Sequence, residues 1–214
     1  MLGRSSGITY VALGDSITAY RHGVKVYSEW LLEEGGALGL ATIVNSGVGG
    51  WNTAHLLRHI DEKCLQYRPQ LVSIMIGTND HAIYKGQRES AVSLELYRRN
   101  LSEIIGIIRS AASSDQRSAP YILLMSPPFI ASYTNEAGTS TSQMRLLEYV
   151  ETMRMISVEL GTGYLDANAI TLKAANGDER LYRLTYTDGN DGVHLNTAGQ
   201  RLLLPHLVQA LNRP

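Results

Sequence analysis

Four short blocks of the sequence carry side chains suited to acyl transfer: Gly14-Asp15-Ser16, the run Asn45-Ser46-Gly47-Val48-Gly49-Gly50, Gly77-Thr78-Asn79-Asp80, and Asp191-Gly192-Val193-His194. A serine hydroxyl becomes a nucleophile only beside a base, an imidazole is the natural base near neutral pH, and a carboxylate fixes its tautomer. Of the six histidines only His194 has a carboxylate, Asp191, three residues upstream in a Gly-rich turn. The Asn79 amide can donate to a developing oxyanion without titrating, and a glycine N–H can do so without a Cβ in the way. Taken alone, Ser16 serves equally well as a helix N-cap or as a nucleophile. Asp15 reads as a residue that holds its loop by hydrogen bonds.

Other groupings fall short of their chemistry. His55 and His59 lie one helical turn apart, but His-Leu-Leu-Arg-His lacks the glutamate of a zincin, so no metal is expected there. Asp188-x-Asn190-x-Gly192 departs from a calcium loop at its fifth position and again at Gly199, its twelfth. A dinucleotide fingerprint at Gly47-x-Gly49 fails because Asn52 stands at the third glycine position, and no cofactor is expected. His22 and His81 follow the first and third blocks, where they would either line the mouth of a site or sit solvated in loops. Asn100-Leu101-Ser102 spells a glycosylation sequon but falls in a predicted helix. Met125, Met144, Met153 and Met155 read as core filler.

Positioning such blocks requires a scaffold, and the hydrophobic pattern supplies one. Apolar, β-branched runs at 8–13, 41–44, 71–76, 121–125 and 163–165 alternate with helical periodicity at 26–38, 53–67, 89–112, 142–160 and 197–211. This alternation predicts an α/β fold: a three-layer, doubly wound (flavodoxin-like) open parallel sheet of about five strands with helices on both faces. In such sheets ligands bind outside the carboxyl ends of the strands, and the first three blocks each follow a predicted strand. Ser16 would then sit at a strand-to-helix junction, near a positive helix end. The segment 126–141, SPPFIASYTNEAGTST, is long for a loop and would overhang the site; past Phe129 and Ile130 it turns polar.

The four blocks in this order resemble the SGNH hydrolases, the GDSL esterase and lipase superfamily, across residues 10 to 200. The resemblance implies a metal-independent serine esterase with Ser16 as nucleophile, His194 as base and Asp191 as its orienting acid. It also implies an oxyanion hole made by the Ser16 N–H, the Asn79 amide and a glycine N–H. The family spacing of asparagine, four residues, then glycine places that donor at Gly50; a shift of register would move it to Gly49 or Gly47. Because Ile17 and Thr18 follow Ser16, the Gly-x-Ser-x-Gly elbow of α/β-hydrolases is not present.

Composition bounds the partners. The 214 residues, 44% hydrophobic and 18% charged, suffice for one catalytic domain over 1–214 with a sizeable core. Nineteen Lys and Arg against 20 Asp and Glu give a net charge of −1, with no basic footprint for nucleic acid. The single cysteine, Cys64, excludes an internal disulfide and a zinc ribbon. No apolar run reaches the roughly 18 residues of a membrane span, and the stretch at 8–13 is too short for a signal-peptide core. A cytoplasmic protein is expected, acting on a small-molecule or carbohydrate ester; self-association is left open. The polar 126–141 segment favours short acyl esters of polar alcohols, with lysophospholipid or thioester cleavage and a non-catalytic carbohydrate-binding role as alternatives.

Overall fold

Residues 8–14 are extended and alternate between two buried faces: Tyr10 and Ala12 join one apolar cluster, Val11 and Leu13 the other. A strand apolar on both faces must be covered on both, which makes it the centre of a three-layer fold. In the computed structural model, which describes residues 7–212, the elements in chain order are β1 (Ile8–Gly14), α1 (Tyr27–Glu34), β2 (Leu40–Gly47), α2 (Thr53–Arg58), α3 (Ile60–Lys63), β3 (Leu71–Met75), α4 (Leu94–Ser114), β4 (Tyr121–Met125), β5 (Tyr133–Thr134), β6 (Ser140–Thr141), α5 (Gln143–Leu160), β7 (Gly163–Leu165), α6 (Ala167–Ala174), α7 (Glu179–Tyr186) and α8 (Thr197–Leu211).

β1, β2, β3, β4 and β7 form one parallel sheet in the order β2-β1-β3-β4-β7. This is the flavodoxin-like winding, with its reversal of direction between β1 and β3. Tyr27 and Leu31 of α1 and Leu203, Leu204 and Leu207 of α8 cover one face. Leu56 of α2, Tyr97, Leu101 and Ile104 of α4, and Tyr149 and Met153 of α5 cover the other. Each fully buried aliphatic side chain in these layers stabilises the fold by about 1.5–3 kcal/mol. Among the described residues no helix is long and apolar enough to cross a membrane.

The local departures from the sequence expectations have physical causes. The helix expected from residue 26 is short and ends in a 3-10 turn, Gly36–Leu38, closed by Gly39 at φ 62°. The helix expected over 53–67 breaks at His59, whose backbone is non-helical and whose ring stacks on Trp51 at 5.0 Å. No helix follows Ser16 directly. Asp15 accepts from Thr18 and Ala19 in a single turn, and the chain then loops through Gly23 at φ 75° before α1 begins. The helix-end field expected at Ser16 is therefore reduced to the N–H groups of one turn. Met125 and Met153 are buried as expected, but Met144 is 82% and Met155 49% exposed on the outer side of α5.

Candidate active site

All five strands of the sheet are parallel, so their carboxyl ends share one edge, and the first three blocks leave from it. Gly14, paired with both Gly47 and Met75, leaves no room for a side chain: a Cβ there would lie 2.2 Å from Thr18 Oγ1 and 2.5 Å from the Met75 carbonyl. That close approach turns the chain sharply at Asp15. Its Oδ1 accepts from the Ile17 N–H at 2.9 Å, which fixes the turn bearing Ser16. Burial pushes the Asp15 carboxyl up to about 6, against the pull of the Ile17 N–H and of the nearby His194. Asp15 thus holds its loop, as read from the sequence.

Ser16 and His194, 178 residues apart, meet at the strand ends: the Ser16 hydroxyl lies 2.8 Å from His194 Nε2. The opposite ring nitrogen, Nδ1, lies 2.5 Å from Asp191 Oδ2. Asp191 Oδ1 in turn accepts from the backbone N–H groups of Val193 at 2.8 Å and His194 at 2.9 Å. Half-burial raises the Asp191 carboxyl, but the His194 bond and the two backbone donors outweigh it and hold the group below the usual carboxylate range. An ionised Asp191 requires the proton on Nδ1, which leaves Nε2 as an acceptor facing Ser16. This chain of bonds can take a proton from a serine hydroxyl and return it.

The loops after β2 and β3 carry the groups that the sequence reading takes as oxyanion donors. Asn79 Nδ2 donates to the Trp51 carbonyl at 2.8 Å, which orients the amide and leaves it a second hydrogen. Val48 to Trp51 form a turn closed by the Trp51 N–H on the Val48 carbonyl at 3.3 Å, with Gly50 at φ 76°, a value that favours glycine. A Cβ on Gly49 would stand 4.0 Å from Ser16 Cβ, so the turn passes beside the serine. The three glycines are not equivalent. The Gly47 N–H already donates to Asn45 Oδ1 at 3.0 Å, whereas the Gly49 and Gly50 N–H groups have no partner among the described residues.

Asn45, read from the sequence only as the start of its block, and Arg21 and Gln200, which the sequence reading passed over, hold these loops together. Asn45 Nδ2 donates to the Thr18 carbonyl at 2.6 Å and to Ser28 Oγ at 2.9 Å. Arg21 donates to the Leu195 carbonyl and, at 3.3 Å, to Asp188, on either side of Asp191 and His194. Gln200, fully buried in α8, donates to the Ile17 carbonyl at 2.7 Å and accepts from the Tyr27 N–H at 3.1 Å. A glutamine on the same helix face as Leu203, Leu204 and Leu207 was the one signal available for this staple. His81 does not line the mouth: it is buried, with Nδ1 2.6 Å from the Thr78 carbonyl, and desolvation lowers it to about 4. His22 is exposed. Among the described residues no cluster of three potential metal ligands occurs.

The segment 126–141 buries its apolar part and presents the rest. Phe129 packs edge-on to Tyr182 at 4.9 Å, and Ile130 and Ala131 are fully buried, while Ser132, Thr134, Asn135 and Glu136 are exposed. The β5–β6 hairpin is tied to the loop after β3 through Ile83 and Ser140, and the Ala131 N–H donates to the Gly192 carbonyl at 2.7 Å. It therefore bridges the loop after Asn79 and the loop carrying His194.

Residues 12–202 match the GDSL-like lipase/acylhydrolase family. The chain belongs to that family. It is 26% identical over 182 residues to the isoamyl acetate-hydrolyzing esterase 1 homolog of Rattus norvegicus, spanning 80% of this chain and 69% of that protein. The fold is shared with a catalytic mutant of Axe2, an acetylxylan esterase from Geobacillus stearothermophilus: TM-score 0.72, 23% identity, 98% of this chain and 96% of the other. A lipase/acylhydrolase from Enterococcus faecalis superposes with TM-score 0.72 at 22% identity, covering 94% of each chain. The GDSL hydrolase was thus recognisable from its four blocks, and the enzyme acts as an esterase of that family.

Proposed function

We propose that this GDSL esterase hydrolyses short-acyl, acetyl-like esters of a carbohydrate or other polar alcohol through an acyl-enzyme on Ser16. Ser16 Oγ attacks the ester carbonyl as its proton passes to His194 Nε2, and Asp191 stabilises the imidazolium through Nδ1–H. The Ser16 N–H, the Gly50 N–H and the free hydrogen of the Asn79 amide receive the oxyanion. His194 then protonates the departing alcohol, and water repeats the sequence in reverse to release the acid. The unbroken hydrogen-bonded chain from Ser16 Oγ to Asp191 is the observation that carries the chemistry.

The acyl preference rests on the arm at 126–141. A long chain needs an apolar groove, worth about 0.8 kcal/mol per buried methylene. Here Phe129 and Ile130 are already enclosed in the core, so the arm offers hydroxyls, an amide and a carboxylate instead. The names of the rat and Geobacillus proteins, which both carry an acetyl ester, agree with this reading. Measuring kcat/KM for nitrophenyl esters of two to eight carbons tests it, with Ser16→Ala as the control. The expected optimum is at two to four carbons; a maximum at eight would replace the proposal with a lipolytic acylhydrolase.

A further inference from the structure

The last residue of the Gly77-Thr78-Asn79-Asp80 block has no part in the chemistry above, yet it is fully buried. Asp80 Oδ1 accepts from the Thr53 N–H at 3.0 Å and from Thr53 Oγ1 at 2.5 Å, and Oδ2 lies 3.3 Å from the same N–H. Asn100 of α4, the asparagine of the apparent sequon, donates from Nδ2 to Thr53 Oγ1 at 3.0 Å. Thr53 is fully buried and Asn100 only 3% exposed. Among the described residues no lysine or arginine forms an ion pair with Asp80. Burial without a cation pushes its carboxyl up to about 7, against the two Thr53 bonds. This buried carboxyl thus joins the loop after β3 to the first residue of α2 through both donors of Thr53.

Thr53 opens α2 directly after the Val48–Trp51 turn that carries the free Gly49 and Gly50 N–H groups. Neighbouring residues of one loop thus grip two points of the other: Asn79 holds the Trp51 carbonyl and Asp80 holds Thr53, on either side of Asn52. We infer that Asp80 is a positioning residue of the oxyanion hole, clamping the glycine turn through Thr53 and Asn100 so that donors from two loops converge on one point beside Ser16. Asp80 touches no substrate. It acts through the placement of Gly50 and Asn79, and the inference rests on the donor roles proposed for them. Displacing such donors by about 1 Å is enough to lower turnover by about 10².

Steady-state hydrolysis of nitrophenyl acetate tests the clamp. Asp80→Ala should lower kcat by about 10 to 10² while KM stays within about 2-fold. Thr53→Val, which removes the hydroxyl, should lower kcat in the same way, and Thr53→Ser, which keeps it, should restore most of it. In an Asn79→Ala background the hole is already broken, so adding Asp80→Ala should cost less than about 3-fold. An unchanged kcat, a loss confined to KM, or a full independent loss in that background would overturn the positioning role. Should Asp80→Ala not fold, as judged by its melting transition, the Thr53 pair decides, and equal kcat for Thr53→Val and wild type refutes the clamp. If wild type and Ser16→Ala hydrolyse the ester equally, the proposed mechanism itself fails and the clamp falls with it. If only wild type does so and the Asp80 and Thr53 variants match it, the clamp alone fails.

Discussion

Asn79→Ala separates two kinds of contribution by size. The side chain makes one bond in the free enzyme, from Nδ2 to the Trp51 carbonyl at 2.8 Å, in a half-buried position that water can reach. Losing a neutral bond of that sort costs about 1 kcal/mol of stability, or roughly 2–4 °C in Tm for a domain of this size. The hydrogen facing the site acts only when the carbonyl oxygen becomes an oxyanion. Removing one such donor costs about 2.7–4 kcal/mol in the transition state, a fall in kcat of about 10²–10³ with KM nearly unchanged. Thermal melts and nitrophenyl acetate kinetics on the same preparation read both numbers. A rise in KM with kcat intact would make Asn79 a ground-state contact, and a Tm drop beyond about 10 °C with activity lost in proportion would make it scaffold. Unchanged kinetics would remove it from the site.

A fluorophosphonate probe should add once per chain and map to Ser16, with no adduct on Ser16→Ala; a labelled peptide elsewhere would displace Ser16 as nucleophile. Asp191→Asn should keep the loop but favour the wrong imidazole tautomer, lowering kcat by about 10³–10⁴, and a loss under about 10-fold would refute its orienting role. His81 is held neutral by burial, its folded pKa lowered from 6.5 to about 4. Its contribution to stability is therefore complete above the unfolded value and is lost as pH falls through the window from 6.5 toward 4. On going from pH 7.5 to 4.5, wild type should lose about 2–3 kcal/mol relative to His81→Gln in urea denaturation, and parallel pH slopes would refute this. Asp15 and Asp80, raised to about 6 and about 7, work in the opposite sense in both proteins and cancel from the difference.

The sheet was legible because its central strands, β1, β3 and β4, are buried on both sides and read as largely apolar runs, with β4 and β7 matching the expected residues. α6 and α7 escaped notice. Each has eight residues, too few for a helical period to repeat, and α7 buries only Tyr182. The break at His59 was equally silent, since it comes from stacking on Trp51 and not from a glycine or proline. At the site, the pairing of Ser16 with His194 could be anticipated because each block ends a strand or precedes the last helix. Which glycine N–H is free could not, because the Gly47 N–H donates to Asn45 Oδ1, and that amide is oriented by its own long-range bonds to the Thr18 carbonyl and Ser28 Oγ.

These cross-loop bonds explain how loops, ordinarily the most mobile parts of a fold, can hold the groups proposed as oxyanion donors in place. Asn45 ties β2 to the Ser16 turn, Gln200 ties that turn to α8, Arg21 ties it to the Asp191–His194 loop, and Asn79 and Asp80 tie the third loop to the second. Together these bonds join the loops to one another and to α8, so moving any single loop breaks contacts with its neighbours, and the groups proposed as donors are held before substrate arrives. The arm at 126–141 differs. It is anchored at Ile83 and Gly192 and through its buried Phe129 and Ile130, while its exposed residues make few of the bonds that hold the catalytic loops. If the arm selects the alcohol as proposed, substitutions at Thr134 or Glu136 should shift kcat/KM between acetate esters of different alcohols while the rate of labelling of Ser16 by a fluorophosphonate stays unchanged. On the proposed reading, the chemistry thus rests on the cross-bonded loops and recognition of the alcohol on the arm.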